Sequence, residues 1–349
     1  MKLSLIGASG SVGQEIIRMS LFNELLRFSN LCFFYHSDKG KKEIVGMVND
    51  VLVGNNVDNV KITSDINDLI DSDICILCAG KAIDTDITKI IKNGNNHENN
   101  REILYEENKD IILYWTKQIY TYSPSALIIL VTNPVSRLLR DIYNLYPNIK
   151  AVGCGVTNDT LRVRNEFIKS FPNDTVNNLF VIGEHSLGYQ TIALTYFNSL
   201  RSKKIDRLLF EKIFNSKKEK QTFISNLKQT QNCMLANNDF ELLQNYNKSL
   251  PIIYKSYMTH RMSHFLFKTH LSTSIAIKEI LEAYIFENKM VSVEVKCEHY
   301  LSYSNCILGV PIKFKNKQIS VCDINIDEYE KNILLECENK FKLMEVEKR

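Results

Sequence analysis

KLSLIGASGSVG, residues 2–13, decides the fold: an apolar run from Lys2 closes on Gly7, Gly10 and Gly13 follow, and apolar residues recur near helical spacing from Val12 to Leu26. The order is strand, glycine turn, helix. Glycines allow a tight turn, let backbone amides approach a pyrophosphate closely and let the helix pack on the strand, while the helix start favours an anion. Gly7, Gly10, Ser11, Val12 and Gly13 are therefore the candidate dinucleotide-binding residues.

Working outward, LCFFY (31–35) reads as a second strand, KEIVGMVNDVL as a helix, KITS as a short strand and DICILCAG (73–80) as another buried strand. The segment from Asp84 to Asn100, rich in Asn and Asp, reads as a loop. Helical character returns from Arg101 to Tyr120, SALIILVTNP (125–134) is the next strand, and AVGCG leads into a helix from about Asp159 to Lys169. Strands alternating with helices predict an α/β fold with a Rossmann-type, doubly wound parallel sheet.

The second half reads as a mixed α+β lobe: a strand in LFVIGEH (179–185), long polar and helical stretches, strands in VSVEVKCEHYL and ILGVPIKFKNKQIS, and a charged helix from about Asp327. The end of the alternating pattern places a boundary near residue 150. A dinucleotide-binding domain is expected over 1–150 and a substrate-binding, catalytic domain over 151–349.

Composition narrows the partners. With 44% hydrophobic and 24% charged residues the chain is an ordinary globular one, and 43 Lys plus Arg against 40 Asp plus Glu provide no basic field for nucleic acid. The amino terminus lacks the apolar core of a secretory signal, and no stretch has the length of a membrane span, so a cytoplasmic protein is expected. Nine scattered cysteines do not form a disulfide framework, and Cys75 and Cys78, spaced like a redox or metal pair, lie inside a strand; no metal is expected. His260 and His264 share a helical face but lack further ligands and read as surface or packing residues.

The dinucleotide reading calls for an acid about 20 positions beyond the glycines, at the end of the second strand, to bind the adenosine ribose. Asp38 lies 25 positions after Gly13, whereas Tyr35 or His36 stands at the strand tip. Lys39, Lys41 and Lys42 either form a solvated turn or accept a 2′-phosphate. NAD is preferred slightly, with NADP open.

Reduction of a 2-oxo acid needs an anchor for the carboxylate, a donor to polarise the carbonyl and a proton source. VTNPV (131–135), GVTNDTLRVR (155–164), VIGEH (181–185) and REILYEEN (101–108) carry suitable groups at strand ends or helix starts. With the glycine loop in its GxxGxxG form, these motifs occur in the order found in the lactate/malate dehydrogenase family. The chain resembles that family from GASGSVG to GVPIK (309–313), and most of all its lactate-dehydrogenase-like malate dehydrogenases.

The resemblance implies that His185 is the general acid/base, a task suited to a side chain that titrates near neutrality. Asp159 would fix its tautomer and stabilise the imidazolium. Arg162, three residues on and near the same helical face, would clamp the substrate carboxylate, with Arg164 facing elsewhere. Arg101 would polarise the carbonyl as a loop closes. Asn133 would orient substrate and meet the cofactor, Asn108 would contact the cofactor, and Thr273 would lie against the substrate. A homodimer or homotetramer is implied as well.

Two departures stand out. The stretch from Gly80 to Arg101 is longer than the family's and contains no arginine, so the element that selects malate or lactate is missing; Lys81, Lys89 and Lys92 are the cations available there. Ser186 and Leu187 replace the residues that usually follow the histidine. The leading expectation is hydride transfer between a nicotinamide cofactor and a small 2-hydroxy acid, malate ahead of lactate. The competing one is a nucleotide-binding relative that has lost catalysis and serves regulation or assembly.

Overall fold

The computed structural model describes residues 1–22, 30–51, 59–82, 97–170, 179–185, 217–267, 270–300, 303–323 and 334–335. Six short strands, β1 (Lys2–Ile6), β2 (Asn30–Phe34), β3 (Val60–Thr63), β4 (Ile74–Leu77), β5 (Leu127–Leu130) and β6 (Ala151–Gly153), pair in parallel in the order 3-2-1-4-5-6. This is the doubly wound Rossmann order. The sheet then continues antiparallel through β7 (Val291–Tyr300), β8 (Tyr303–Lys315) and β9 (Gln318–Val321), joined to β6 at Gly153 opposite Glu294.

Both faces are covered, which is why the strands are apolar runs rather than alternating ones. On one face Leu3, Leu5, Phe33, Ile76 and Ile129 pack against α1 (Ser11–Phe22), α2 (Asp38–Val51) and α9 (His270–Phe286). On the other Ile6, Phe34, Leu77, Ile128 and Leu130 pack against α3 (His97–Tyr122) and α4 (Val135–Leu145). Cys75 belongs to this second face while Cys78 packs against the first, so the two thiols lie on opposite sides of the sheet. A third core joins α5 (Gly155–Ser170) to α6 (Lys217–Ala236) and α8 (Ile252–Phe267) through Val163, Phe167, Leu227 and Met258. Helix α7 (Phe240–Lys248) packs on α6 and α8.

Several boundaries differ from expectation. Helices α2, α3 and α5 each begin four residues before the expected starts at Lys42, Arg101 and Asp159, because polar and glycine-rich first turns carry no apolar periodicity. His97–Asn100, expected as loop, is helix, and residues 83–96 of that loop lie outside the described residues. LFVIGEH makes isolated bridges at Phe180 and at Gly183, the latter with Gly309, rather than a strand; its apolarity reflects burial between α5 and β7–β8. The charged helix expected from Asp327 lies outside the described residues save Leu334 and Leu335, which are helical. Among the described residues no helix is long and apolar enough to cross a membrane.

Candidate active site

Because α1 and α3 leave the sheet on opposite faces, a crevice opens between the carboxyl ends of β1 and β4, where such sheets bind ligands. The glycine loop forms its floor. Gly7 has φ +90°, and a Cβ there would stand 2.6 Å from Ala79 N, against the end of β4. A Cβ on Gly13 would stand 2.4 Å from Gly7 O and 2.7 Å from Ala8 O, so the turn folds onto the helix only when that position is bare. The Gly7 carbonyl accepts from Gly10 N (3.1 Å), and the Gly10 carbonyl from Gln14 N (2.9 Å). The amides of Ser11, Val12 and Gly13 fall among the first-turn donors that lack intrahelical acceptors. Ser11 is exposed and Val12 packs on the core. This cradle fits the pyrophosphate of a dinucleotide.

The β4 and β5 ends are latched together by Asn108, fully buried on α3. Its Oδ1 accepts from Lys81 N (2.6 Å), and its Nδ2 donates to the carbonyls of Lys81 (3.1 Å) and Asn133 (2.9 Å). Its amide thus reaches protein backbone, and Asn108 shapes the crevice wall. Asn133, exposed at the end of β5, precedes Pro134 through a cis peptide bond.

Across the crevice, the head of α5 meets the segment 179–185. Thr160 Oγ1 accepts from Val181 N (2.9 Å), Ser292 Oγ donates to the Val181 carbonyl, and Gly183 exchanges two backbone hydrogen bonds with Gly309 at 2.8 Å. Arg164 Nη2 holds the Leu179 carbonyl (3.1 Å) and Arg164 Nη1 pairs with Glu279 (3.3 Å), a structural task that leaves Arg162 on the crevice side. These contacts fix His185. Its Nδ1 lies 2.7 Å from Asp159 Oδ2, and Arg162 Nη1 donates to Asp159 Oδ1 (3.0 Å).

One carboxylate therefore serves an imidazole and a guanidinium. Burial would raise the Asp159 carboxyl, but the attraction of His185 and Arg162 outweighs it and holds the group below the usual aspartate range. Burial lowers Arg162, against the pull of Asp159. Arg162 Nε and Asn158 Oδ1 are buried and find no hydrogen-bond partner among the described residues. A buried donor left unpaired costs about 1–3 kcal/mol, which an incoming anion would recover.

Other expected residues converge on the same place. Thr273, in the first turn of α9, accepts from Asn158 Nδ2 (3.3 Å). Arg101 Nη2 donates to the His185 carbonyl (3.3 Å) and its Nη1 lies 3.8 Å from Glu184 Oε1. In this arrangement Arg101 grips the histidine segment. Asp38 stands apart: it opens α2 on the surface, while Tyr35 follows β2 at the tip, with Lys41 Nζ 5.6 Å from its ring centre. Lys81 pairs with Glu107 (2.9 Å), and Lys89 and Lys92 lie outside the described residues. So do Ser186 and Leu187. Among the described residues no group of three or more potential metal ligands forms.

Sequence reasoning missed Asn158 and Glu294. Asn158 was visible as a polar neighbour of Asp159 within GVTNDTLRVR. Glu294 gave a misleading signal: alternation in VSVEV places it on the solvent side of a strand, yet α4 and α5 cover that side.

A parallel sheet in this order, with a glycine loop at its switch point, defines the class as dinucleotide-binding α/β proteins. Residues 1–151 match the family model described as lactate/malate dehydrogenase, NAD binding domain. Malate dehydrogenase from Methanosphaera stadtmanae is 26% identical over 193 residues, 53% of this chain and 56% of that relative. L-lactate dehydrogenase from Clostridium botulinum is 28% identical over 212 residues, 59% and 60% of the two chains. The chain thus spans little more than half the length of these relatives. Malate dehydrogenase from Plasmodium falciparum shares the fold over 97% of this chain and 96% of its own, at 18% identity and TM-score 0.67. Lactate dehydrogenase from Cryptosporidium parvum, solved with lactic acid and nicotinamide adenine dinucleotide, does so over 97% and 95%, at 16% identity and TM-score 0.70. Residues 1–151 are thus similar to the NAD-binding domain of lactate/malate dehydrogenases, and the chain shares the fold of those enzymes.

Proposed function

We propose that the chain is a nicotinamide-dependent oxidoreductase acting on a small 2-hydroxy or 2-oxo acid, with malate ahead of lactate and NAD ahead of NADP. The observation that carries this reading is the hydrogen bond between His185 Nδ1 and Asp159, with Asp159 also joined to Arg162. With Nδ1 turned to a carboxylate, the proton of the neutral ring resides there, and Nε2 is the atom left to give or take a proton. Asp159 stabilises the imidazolium formed when Nε2 takes a proton during alcohol oxidation.

A bound nicotinamide would supply or accept the hydride; Gly7, Gly10, Ser11, Val12 and Gly13 would hold its pyrophosphate, with Asp38 or the Tyr35 tip near its ribose. Arg162 offers its unpaired donor to the substrate carboxylate, and Asn133, Thr273 and Arg101 border that position. Asn108 acts through the backbone it latches. Malate is favoured because the GxxGxxG spacing resembles that of malate dehydrogenases. A homodimer or homotetramer in the cytoplasm completes the reading; α9 leaves Leu271 and Ile275, one turn apart, exposed for such an interface.

The test is a steady-state screen of oxaloacetate, pyruvate and a branched 2-oxo acid, each with NADH and NADPH. Turnover is expected with oxaloacetate and NADH first. Loss of the acid/base group in His185→Ala should cut it at least ~100-fold while dinucleotide binding persists. Near-normal rates in that variant would remove His185 from the mechanism.

A further inference from the structure

Glu294 is a fully buried carboxylate for which the reading above has no use. It projects from β7 at the residue paired with Gly153, the register contact between the parallel and antiparallel parts of the sheet. Its Oε2 accepts from Gly155 N (3.0 Å) and its Oε1 from Val156 N (3.1 Å), the first two amides of α5. A Cβ on Gly155 would stand 2.4 Å from Glu294 Oε1 and 2.5 Å from His185 Cβ, so both side chains rest against the same bare α-carbon.

We propose that Glu294 is a positioning residue for the His185–Asp159 pair: it pins the first turn of α5 and sets a second negative charge behind the imidazole, across Gly155. The geometry provides both halves of the claim. Asp159 and Arg162 ride on α5, so the anchoring of its first turn sets where they meet His185, and an anion at a helix start is favoured. The ionisable groups facing Glu294 are His185 from the segment 179–185, Asp159 from α5 and the Cys154 thiol just before it. From β8 it meets Gly309, and from α4 the apolar Val135 and Leu139 approach Gly153 beside Oε2.

Burial, aided by the repulsion of Asp159 and opposed by His185 and the two amides, pushes the Glu294 carboxyl up to about 7. It therefore changes charge in the range where histidines titrate. Ionised, it favours the imidazolium; protonated as pH falls, it withdraws that support. Two groups coupled in this way titrate over a wider pH span than one alone.

The coupling rests on the proposed function only for its catalytic meaning, and it is read by NMR without turnover. In wild-type protein the His185 ring resonance, assigned by its absence in His185→Ala, should titrate over a broadened range with an inflection shared by the labelled Glu294 carboxyl. In Glu294→Gln the curve should narrow to a single-group shape, with its midpoint lower by roughly half to one pH unit. Glu166→Gln is the control: it removes a buried carboxylate from the same helix, paired with Lys169 (2.9 Å) and Lys255 (3.0 Å), and should leave the His185 curve unchanged. An unaltered curve in Glu294→Gln, or an equal shift in Glu166→Gln, overturns the proposal. If Glu294→Gln does not fold, the wild-type curve decides: a single His185 inflection with no counterpart at Glu294 also overturns it. A wild-type protein idle with every 2-oxo acid would sink the dehydrogenase reading and leave this measurement intact.

Discussion

The two ends of the crevice are built from opposite materials. At the glycine loop the surface is backbone, and the residues that make it lie within one turn of chain backed by Ala79. At His185 it is charge, held by residues from α3, α5, β7, β8 and the segment 179–185, far apart in sequence. The first end should be sensitive to single atoms of volume and indifferent to pH. The second should respond to charge and pH.

The largest expected effect is at the backbone end. Gly13→Ala drives a Cβ to 2.4 Å from one carbonyl oxygen and 2.7 Å from another, both main-chain atoms that cannot rotate away. Displacing the turn should cost on the order of 3 kcal/mol of stability, as overpacking in a rigid place does, and abolish dinucleotide binding. Thermal unfolding and NADH fluorescence titration measure the two losses. A Gly13→Ala protein with normal melting and affinity would break the comparison, since the loop would then not depend on bare backbone.

The same contrast explains what the sequence disclosed. Strands β1, β2, β4 and β5 were legible because sheets covered on both faces need continuous apolar runs, and KLSLIG, LCFFY, DICILCAG and SALIILV supply them, whereas the three-residue β6 was read only as a lead into the next helix. The glycine loop was legible because its requirement is local. At the charged end the expected residues His185, Asp159 and Arg162 do meet, and Thr273 arrives through Asn158, but no periodicity pointed to that meeting. Family resemblance supplied it. Glu294 stayed hidden because strand alternation reports which side a residue faces, not whether a helix covers that side. The early start of α5 was hidden because Gly155 is bare for contact with His185 and Glu294, and a glycine weakens the helical signal.

A middle-sized effect belongs to the charged end. The Glu294 carboxyl is raised from 4.5 to about 7 on folding, so its contribution to stability is complete below the ordinary glutamate range and is lost as pH rises toward about 7. Asp159 runs the other way: its carboxyl is lowered, so its contribution holds above the ordinary aspartate range and is lost in strong acid. Between pH 5 and 8 the Glu294 slope should therefore stand alone of the two, amounting to at most about 3 kcal/mol. Urea unfolding across that range should show stability falling with pH in wild type and nearly level in Glu294→Gln. Parallel slopes in the two proteins would mean that the buried carboxylate does not ionise there.

The smallest effect separates folding from binding within the glycine loop itself. Among the described residues a Cβ on Gly10 meets a single neighbour within 4 Å, Gly7 O at 3.3 Å, so the turn can accommodate it with a slight shift. Gly10 immediately precedes α1, where alanine is a poorer helix cap than glycine by about 1 kcal/mol or less. Gly10→Ala should thus melt close to wild type. If a pyrophosphate lies over this turn, the added methyl occupies the space through which backbone amides approach it, and affinity should fall about 10-fold while stability hardly moves. Loss of affinity at both Gly13 and Gly10, with loss of fold only at Gly13, would assign one glycine to the turn and the other to the ligand. Unchanged affinity in Gly10→Ala would move the phosphate away from Gly10 and toward the amides of α1.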